Sequence, residues 1–550
     1  MFIKEVTSPR KSGPDVKYVQ IVESVRRRGS RTPTHKVILN LGRAEKIDRE
    51  RISELVRLLS AYLTDEEREE LPSSVEIGQS REWGVGYVVE MLWERFGLDK
   101  FFRRQLRRRK IASPVERALL AMVMHRAQEP AGKLQDFYWL RNEAFAPWGA
   151  RVELHHLYRS LDFLQENRDV LEQALYWQRR DLLNRSVQLV YFDTTTVHFE
   201  LEDDPEEPPL EGLRQYGRPK DGRVSHRQIV LGMAVDPDGL PLLSETFAGN
   251  TVDTKTIRPV VTRLEAMGAG DVVFVADRGA VSQSNLKAVR KAELHYIVGL
   301  RLRNAGELMP KILNDTTAYE TIEDNLLAKK VVVGGRQLVV CYSPETAERD
   351  LKMRGRAVER LNEKLAAVKT AQDPQKAEAE VLAHRLFRRW VTRDTKGALV
   401  LSREKLATES QCDGTFVLET SNAELSTAQV AVGYKGLLRV ERAWHSFKHS
   451  IDIQPVFLRK DERIAAHVTL CMITYLLERW AEIRSGTSFR HIRRQLRTLH
   501  ATELIQGDHR LWKPNRLSPA QQALLKKLDI PPPKPVLHAG RLPRLPAESM

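Results

Sequence analysis

Two apolar runs that each lead into an aspartate decide the fold: Val187-Gln-Leu-Val-Tyr-Phe-Asp193 and Asp271-Val-Val-Phe-Val-Ala-Asp277. Short apolar runs rich in β-branched and aromatic residues are typical of buried strands. A carboxylate at the carboxyl end of a strand projects toward the edge of the sheet where ligands bind. We therefore expect Asp193 and Asp277 to offer hard oxygen ligands to Mg²⁺ or Mn²⁺. Either aspartate alone could equally be a turn residue that ends a strand.

The residues between and around these runs alternate between strand and helix patterns. Gln228 to Val235 and Leu240 to Phe247 are apolar runs joined by the turn Asp236-Pro-Asp-Gly239, and Thr254 to Met267 has the period of a helix. The order is strand, strand, strand, helix, strand, with the first and last strands ending in aspartate. Strands that are apolar on both faces are covered on both sides, which predicts an α/β fold.

A third carboxylate lies far downstream, in Tyr434-Lys-Gly-Leu-Leu-Arg-Val-Glu-Arg-Ala-Trp-His-Ser-Phe-Lys448. Tyr434, Glu441 and Lys448 are spaced by seven residues, which brings a helix back to within about 20° of its starting direction. A stripe of phenol, carboxylate and ammonium suits a surface where the acid holds a metal ion and its neighbours hold phosphates. An ordinary exposed helix face has the same spacing, so the stripe alone leaves both interpretations open.

The composition is that of a globular protein, and its charge favours binding to a polyanion. The 550 residues include 88 Lys and Arg against 73 Asp and Glu, a net charge of +15, which favours phosphate backbones. A ribosomal or membrane-surface partner fits this charge equally well. The three cysteines have no Cys-x-x-Cys spacing, which argues against zinc ribbons and suits a reducing cytoplasm. The first residues lack the apolar core of a signal peptide, and Ile464 to Leu477 is too short for a membrane span and predicts a core helix.

Two basic segments are candidates for contact with nucleic acid. Arg26-Arg-Arg-Gly-Ser-Arg31 joins two strand-like runs, Lys17 to Val25 and Thr34 to Gly42. Lys100 to Lys110 holds seven basic residues in eleven and no acid, including Arg103, Arg104, Arg107 and Arg108. An all-positive run is costly unless a polyanion relieves it. The alternative is a solvated hairpin tip in the first segment and a solvated helix face in the second.

These residues together resemble a DDE transposase of bacterial insertion sequences, in the group marked by Tyr-x2-Arg-x3-Glu-x6-Lys. Tyr434, Glu441 and Lys448 fit that signature, but its arginine position is Leu437, and Arg439 lies two residues on. Similar motifs are Leu231-Gly-Met-Ala-Val-Asp-Pro-Asp-Gly-Leu-Pro-Leu242, Phe247-Ala-Gly-Asn-Thr-Val-Asp253, Ala276-Asp-Arg-Gly279 and Asp413-Gly-Thr-Phe-Val-Leu-Glu-Thr420. The resemblance covers about residues 185 to 480 and, more loosely, the N-terminal part.

The resemblance implies an RNase H-like core, a mixed sheet flanked by helices, with Asp193, Asp277 and Glu441 as a catalytic triad that holds two Mg²⁺ or Mn²⁺ ions. It implies metal-dependent cleavage at terminal inverted repeats in double-stranded DNA, then attack of the freed 3′-OH on target DNA by a dimer that bridges two ends. DNA contacts are then expected from Tyr434, Arg439, Lys448 and Arg278, and from the four arginines of the basic run. Trp390 is a candidate for stacking on an unpaired base, against the commoner role of a packing residue.

The chain divides by pattern into six parts. They are a small β-containing module (1–60), a helical DNA-binding region (61–185), the first part of the core (186–300), an α+β insertion domain (301–410), the second part of the core with the Glu helix (411–485), and a helical C-terminal region ending in a Pro-rich tail (486–550). The tail is expected to be disordered. Two other functions stay open: a transposase-derived DNA-binding regulator without catalysis, and a structure-specific nuclease with the same core.

Overall fold

The computed structural model describes residues 2–8, 16–25, 34–44, 75–183, 189–199, 211–220, 226–270, 272–279, 282–300, 302, 308–453, 458–506 and 509–541. The chain forms two compact units. The smaller comprises residues 1–79, 502–513 and 536–550, and the larger comprises residues 80–501 and 514–535. Strands and helices are numbered below in chain order over the described residues.

The smaller unit begins with an antiparallel three-stranded sheet. Its strands are β1 (Phe2–Ser8), β2 (Val16–Val25) and β3 (Thr34–Arg43), with β2 in the centre. The two strands predicted on either side of the first basic segment are thereby confirmed as β2 and β3. The segment itself, Arg26 to Arg31, lies outside the described residues.

A helical region opens the larger unit. After β4 (Val75–Glu82) come α1 (Gly84–Arg95), α2 (Leu98–Arg108), α3 (Val115–Gln128), α4 (Lys133–Asn142), α5 (Leu154–Glu166) and α6 (Arg168–Leu183). Their apolar faces share one core, in which Trp93 and Phe102 stack at 5.6 Å. The helical pattern predicted here is confirmed, and α3 is buried along nearly its whole length, which places it at the centre of the region.

The core sheet is mixed. Its first five strands are β5 (Leu189–His198), β6 (Gln228–Val235), β7 (Pro241–Ala248), β8 (Val273–Ala276) and β9 (His295–Leu300). They lie in the order β7-β6-β5-β8-β9. β5, β8 and β9 are parallel, and β6 and β7 are antiparallel to their neighbours. The helices α7 (Ile257–Ala266) and α8 (Gln283–Lys291) cover one face.

An insertion follows β9 and extends the same sheet. Its elements are α9 (Leu308–Leu313), β10 (Glu320–Glu323), β11 (Leu326–Val333), β12 (Arg336–Tyr342), α10 (Pro344–Thr370), α11 (Pro374–Ala383), β13 (Val391–Arg393), β14 (Leu399–Leu401) and α12 (Arg403–Ser410). The chain returns in β15 (Thr415–Thr420), which pairs with both β12 and β9. Pro374 begins α11 and so separates it from α10, as expected of a residue that cannot continue a helix.

The second face of the sheet is covered by helices that follow β15. They are α13 (Thr427–Lys435), α14 (Leu438–His449) and α15 (Asp461–Ser485). Tyr191 of β5 packs on this face, and its neighbour Phe192 packs on the opposite one, as strand alternation requires. The mixed sheet with helices on both faces confirms the RNase H-like α/β fold class.

α15 contains the apolar segment that was predicted to be a core helix. It contributes Leu470, Ile473 and Leu477 to the core shared with the helical region, which confirms the prediction. Across the ranges described above, no helix combines the length and apolarity needed to cross a membrane.

The C-terminal region differs from the sequence prediction. After α16 (Phe489–Leu496), two strands, β16 (His500–Gln506) and β17 (His509–Pro514), precede α17 (Pro519–Lys527). The prediction of a helical C-terminal region is wrong over these two strands, where burial alternates with period two from His500 onward. The prediction of a disordered tail is wrong for β18 (His538–Arg541), which pairs with β17. The sheet order is β18-β17-β16-β4.

Candidate active site

The strand register places two of the predicted carboxylates side by side. β5 and β8 are parallel, and Phe192 pairs with Ala276, so Asp193 and Asp277 are each the next residue along. Asp277 directly follows β8, as predicted. Asp193 lies in the middle of β5, and the prediction that this strand ends there is wrong, because β5 goes on pairing with β6 as far as His198 after β8 has ended.

Asp193 and Asp277 differ in their exposure to water. Asp277 is exposed, whereas Asp193 is half-buried. Burial raises the pKa of the Asp193 carboxyl above its usual range; Lys220 opposes this shift, and the carboxylates of Asp253 and Asp277 add to it. Burial therefore disfavours the charged form of Asp193, and a further cation beside it would stabilise that form.

Lys220 and Asp253 form a polar cluster against Asp193 that sequence reasoning missed. The Lys220 ammonium lies 3.9 Å from Asp193 Oδ1 and 3.4 Å from Asp253 Oδ1, and it donates to the Thr194 carbonyl at 2.8 Å. The Thr194 hydroxyl donates to Asp253 Oδ1 at 2.8 Å. Asp253 ends one of the motifs that carry the family resemblance, and this signal could have identified it. Lys220 lies in none of those motifs.

Tyr434 contacts the second aspartate. Its hydroxyl donates a hydrogen bond to Asp277 Oδ1 at 2.9 Å. Burial raises the pKa of the Tyr434 phenol, and the Asp277 carboxylate raises it further, so the phenol keeps the proton that it donates. Gly299 of β9 makes this approach possible, because a Cβ at that position would lie 2.6 Å from the Tyr434 hydroxyl oxygen.

The predicted seven-residue stripe is interrupted between α13 and α14. Tyr434 lies in the last turn of α13, whereas Glu441 and Lys448 lie on α14. The prediction of one continuous stripe is wrong at Gly436, where a Cβ would lie 2.2 Å from the Tyr191 hydroxyl oxygen. The backbone hydrogen bonds here join residues three apart, as in a 3₁₀ turn, rather than four apart. One example runs from Leu437 N to Tyr434 O at 3.1 Å.

Glu441 lies in the first turn of α14 with an exposed side chain. The opposite face of α14 is anchored in the core by Val440, Ala443, Trp444 and Phe447, so the packing of the helix determines where Glu441 points. Asp193, Asp277 and Glu441 all line one cavity of about 570 Å³, together with Arg278, Tyr434 and Asn325. The structure therefore brings the three predicted acids to one site.

The carboxylate oxygens at this site are chemically suited to bind a divalent cation. Carboxylate oxygens are the ligands that Mg²⁺ and Mn²⁺ prefer, and a bound cation would stabilise the ionised form of Asp193, which burial disfavours. Within the described parts of the chain, no three His, Cys, Asp or Glu side chains come close enough together to hold a metal ion. All three carboxylates can therefore share a metal only if their side chains approach one another more closely than they do here.

Of the basic residues predicted to contact DNA near the site, one lines the cavity and two do not. Arg278 is exposed and lines the cavity. Arg439 donates to the Tyr191 hydroxyl at 3.2 Å, and its guanidinium lies 5.5 Å from the centre of that ring. Arg439 and half-buried Lys448 are not among the residues that line the cavity.

The basic run forms the solvent face of α2. Arg103 is partly neutralised, with Asp99 at 3.7 Å and Glu116 at 3.6 Å. The remaining three predicted arginines are exposed and form no ion pair within the described residues: Arg104, Arg107 and Arg108. Buried Phe101, Phe102 and Leu106 hold the other face of the helix, so these arginines project from a fixed support.

Trp390 lies in the insertion and is 2% exposed. Its ring belongs to a small core formed with residues such as Leu361, Val381 and Phe387. This burial matches the packing role that the sequence weighed against base stacking, and it leaves no ring face open to a base.

Sequence comparison connects the chain to two families. The family described as transposase DDE domain matches residues 188–477, more than half of the 550 residues. The family described as IS1634 family transposase, N-terminal domain, matches residues 3–70. No curated protein matches the chain.

Two solved structures with similarity to the chain are a Mos1 transposase paired-end complex with left transposon end and a pre-cleavage Mos1 transpososome. Each is 12% identical with a TM-score of 0.15 and covers 32% of this chain. The chain spans 56% and 58% of the length of the two solved chains. The fold assignment therefore rests on the sheet topology described above.

Proposed function

Because this chain belongs to the transposase DDE domain family, we propose that it catalyses cut-and-paste transposition of an insertion sequence. It cleaves double-stranded DNA at the terminal inverted repeats and transfers the freed 3′-OH to target DNA, acting in the bacterial cytoplasm on nucleoid DNA. The observation that carries this proposal is the single cavity lined by Asp193, Asp277 and Glu441. Binding alone does not need three acids facing a phosphate, which argues against a purely regulatory protein.

The proposed ligands of the catalytic metals, Mg²⁺ or Mn²⁺, are Asp193, Asp277 and Glu441. Two bound ions would activate the attacking oxygen and stabilise the leaving oxygen of an in-line phosphodiester displacement. Tyr434 holds one oxygen of Asp277 by its hydrogen bond and so fixes the orientation of that carboxylate. Lys220 offsets the charge on Asp193.

Arg278 and the α2 arginines account for DNA contact in this proposal. Arg278 follows Asp277 directly and lines the same cavity, where its guanidinium can bind a non-bridging phosphate oxygen. The exposed arginines of α2 offer a basic face to the DNA backbone. We propose that two copies of the chain hold the two ends of the element in one complex.

One experiment separates this function from a structure-specific nuclease. Purified protein is incubated with DNA carrying its own element's ends and a supercoiled target, with and without Mg²⁺. A transposase gives joined end–target products, whereas a nuclease gives cleavage without joining. Metal-independent cleavage, or cleavage of unrelated junctions in preference to the ends, would contradict the proposal.

Tyr434→Phe is expected to lower end cleavage about tenfold, because loss of an outer-shell hydrogen bond to a metal ligand typically has an effect of this size. DNA binding should change little, because the substitution removes only the hydroxyl, which already donates to Asp277, and keeps the ring in the cavity. Cleavage rates at several Mn²⁺ concentrations and a binding assay measure the two effects. Tyr138→Phe, at an exposed tyrosine of α4, is the matched control. Equal cleavage by Tyr434→Phe and wild type would contradict the orienting role.

Lys448→Ala is expected to weaken the end complex more than the fold. One lost phosphate contact should lower the slope of log affinity against log salt by about 1, while the melting temperature changes little. A mobility-shift series at several salt concentrations beside a thermal melt measures both quantities. Lys364→Ala, at an exposed lysine of α10, controls for net charge. A large melting loss with unchanged binding would refute the prediction.

A further inference from the structure

A second cavity, of about 730 Å³, shares no lining residue with the carboxylate cavity. It is formed by α16, the start of α1 and the residues that follow α3. Four arginines and a histidine line it: Arg490, His491, Arg493, Arg494 and Arg497. Among the described residues that line it, the acids are Glu82 and Glu129, so the four arginines give the wall a net positive charge.

Three of these arginines are not neutralised within the protein. Arg490, Arg494 and Arg497 are exposed, and no carboxylate among the described residues forms an ion pair with them. Arg494 donates to His491 Nδ1 at 3.5 Å, which is a weak contact. Arg493 is engaged internally, because it donates to the Gln128 carbonyl at 3.1 Å.

The support beneath these arginines is rigid. Phe489, Ile492 and Leu496 bury the opposite face of α16, and the Glu482 carboxylate accepts a hydrogen bond from Phe489 N at 2.9 Å. The Gln521 amide of α17 donates to the Gln495 carbonyl at 2.9 Å. A ligand therefore meets guanidinium groups on a fixed helix, which reduces the entropic cost of binding.

We propose that this arginine cavity binds the phosphodiester backbone of duplex DNA, as a site additional to the carboxylate cavity; the inference rests on the proposed function. Positions 490, 494 and 497 lie on one helix face, and seven residues of helix span about 10 Å. Phosphates on one strand recur every 3.4 Å or so along the duplex axis, so the row is about as long as three phosphate-to-phosphate steps. A free phosphate ion is too small to engage the whole row.

The test uses the full chain carrying Arg490→Gln, Arg494→Gln and Arg497→Gln together. Affinity for a fluorescent duplex is measured across salt concentrations. Because each phosphate contact contributes about 0.9 to the slope of log affinity against log salt, the slope should fall by about 3. The control removes three exposed arginines from α10 that form no ion pair within the described residues: Arg349, Arg356 and Arg360. Its slope should equal that of the wild type.

An unchanged slope in the cavity variant overturns the proposal, and so does an equal fall in the control, since that would report net charge alone. Because the triple variant could misfold, a second measurement uses the unmutated chain and chemical modification of its arginines. Duplex DNA should protect the three cavity arginines from phenylglyoxal modification more than an equal concentration of inorganic phosphate does. Equal protection by phosphate would also overturn the site. Wild-type protein that binds duplex through these arginines but never cleaves it would instead overturn the proposed function.

Discussion

Asp193→Asn, Asp277→Asn and Glu441→Gln are each expected to lower cleavage at the element ends on the order of 10³-fold or more, while duplex binding persists. Each change removes one anionic oxygen ligand and keeps the shape of the side chain, so the loss falls on transition-state stabilisation. Alanine at the same positions should have the same effect. Single-turnover cleavage of end DNA in Mg²⁺ measures the loss, and a mobility shift measures binding.

The fold of these variants should survive because of where the acids lie. Glu441 and Asp277 are exposed, and the pKa of half-buried Asp193 is raised by burial, so a neutral amide there removes an unfavourable charge. The matched control is Glu363→Gln, at an exposed acid of α10, which should cleave like wild type. Robust cleavage by any one of the three site variants would refute the assignment of that carboxylate.

The strand pattern predicted the central features of the fold because apolar runs bounded by turns are a local signal. The aspartate pair follows from that signal, since parallel strands β5 and β8 end their pairing one residue before Asp193 and Asp277. The continuation of β5 through three threonines was missed because its partner β6 comes from a separate segment of the chain. Pairing across such a distance leaves no mark in the local pattern.

The interruption between α13 and α14 at Gly436 could not be predicted from the spacing of residues along the sequence. Seven-residue spacing is compatible with one helix, and glycine is tolerated within helices at a cost of about 1 kcal/mol. What requires glycine at this point is the contact with Tyr191, which lies 245 residues earlier in the chain. Lys220 was missed for a related reason, because only the folded chain brings it to Asp193 and Asp253.

Arg126→Met is expected to destabilise the larger unit by about 1–3 kcal/mol, the range for leaving a buried hydrogen-bonding group without its partner. Arg126 is 4% exposed on α3. Its guanidinium donates to the carbonyls of Ile451 at 2.9 Å, Asp452 at 3.1 Å and Ala131 at 2.7 Å. Methionine fills most of the volume but removes the donor from all three carbonyl oxygens, of which only that of Ile451 is in a fully buried hydrogen bond.

The same substitution should also lower end cleavage, because Ile451 and Asp452 directly follow the helix that carries Glu441. Asp452 has a positive φ of 48°, an unfavourable backbone state for a residue other than glycine, and the bond from Arg126 helps to hold it. Without this anchor α14 loses a fixed end, and Glu441 is less often near the two aspartates. Cleavage should therefore fall even at temperatures where the unit stays folded.

Thermal melting and cleavage well below the melting temperature measure the two effects of Arg126→Met separately. Arg95→Met is the matched control, since Arg95 also donates to a backbone carbonyl, that of Leu528, at 2.7 Å. Its side chain is 23% exposed, and it lies on α1, so it should cost less stability and leave cleavage intact. If Arg126→Met melts lower but cleaves at the wild-type rate when folded, Arg126 contributes to stability alone and does not position Glu441.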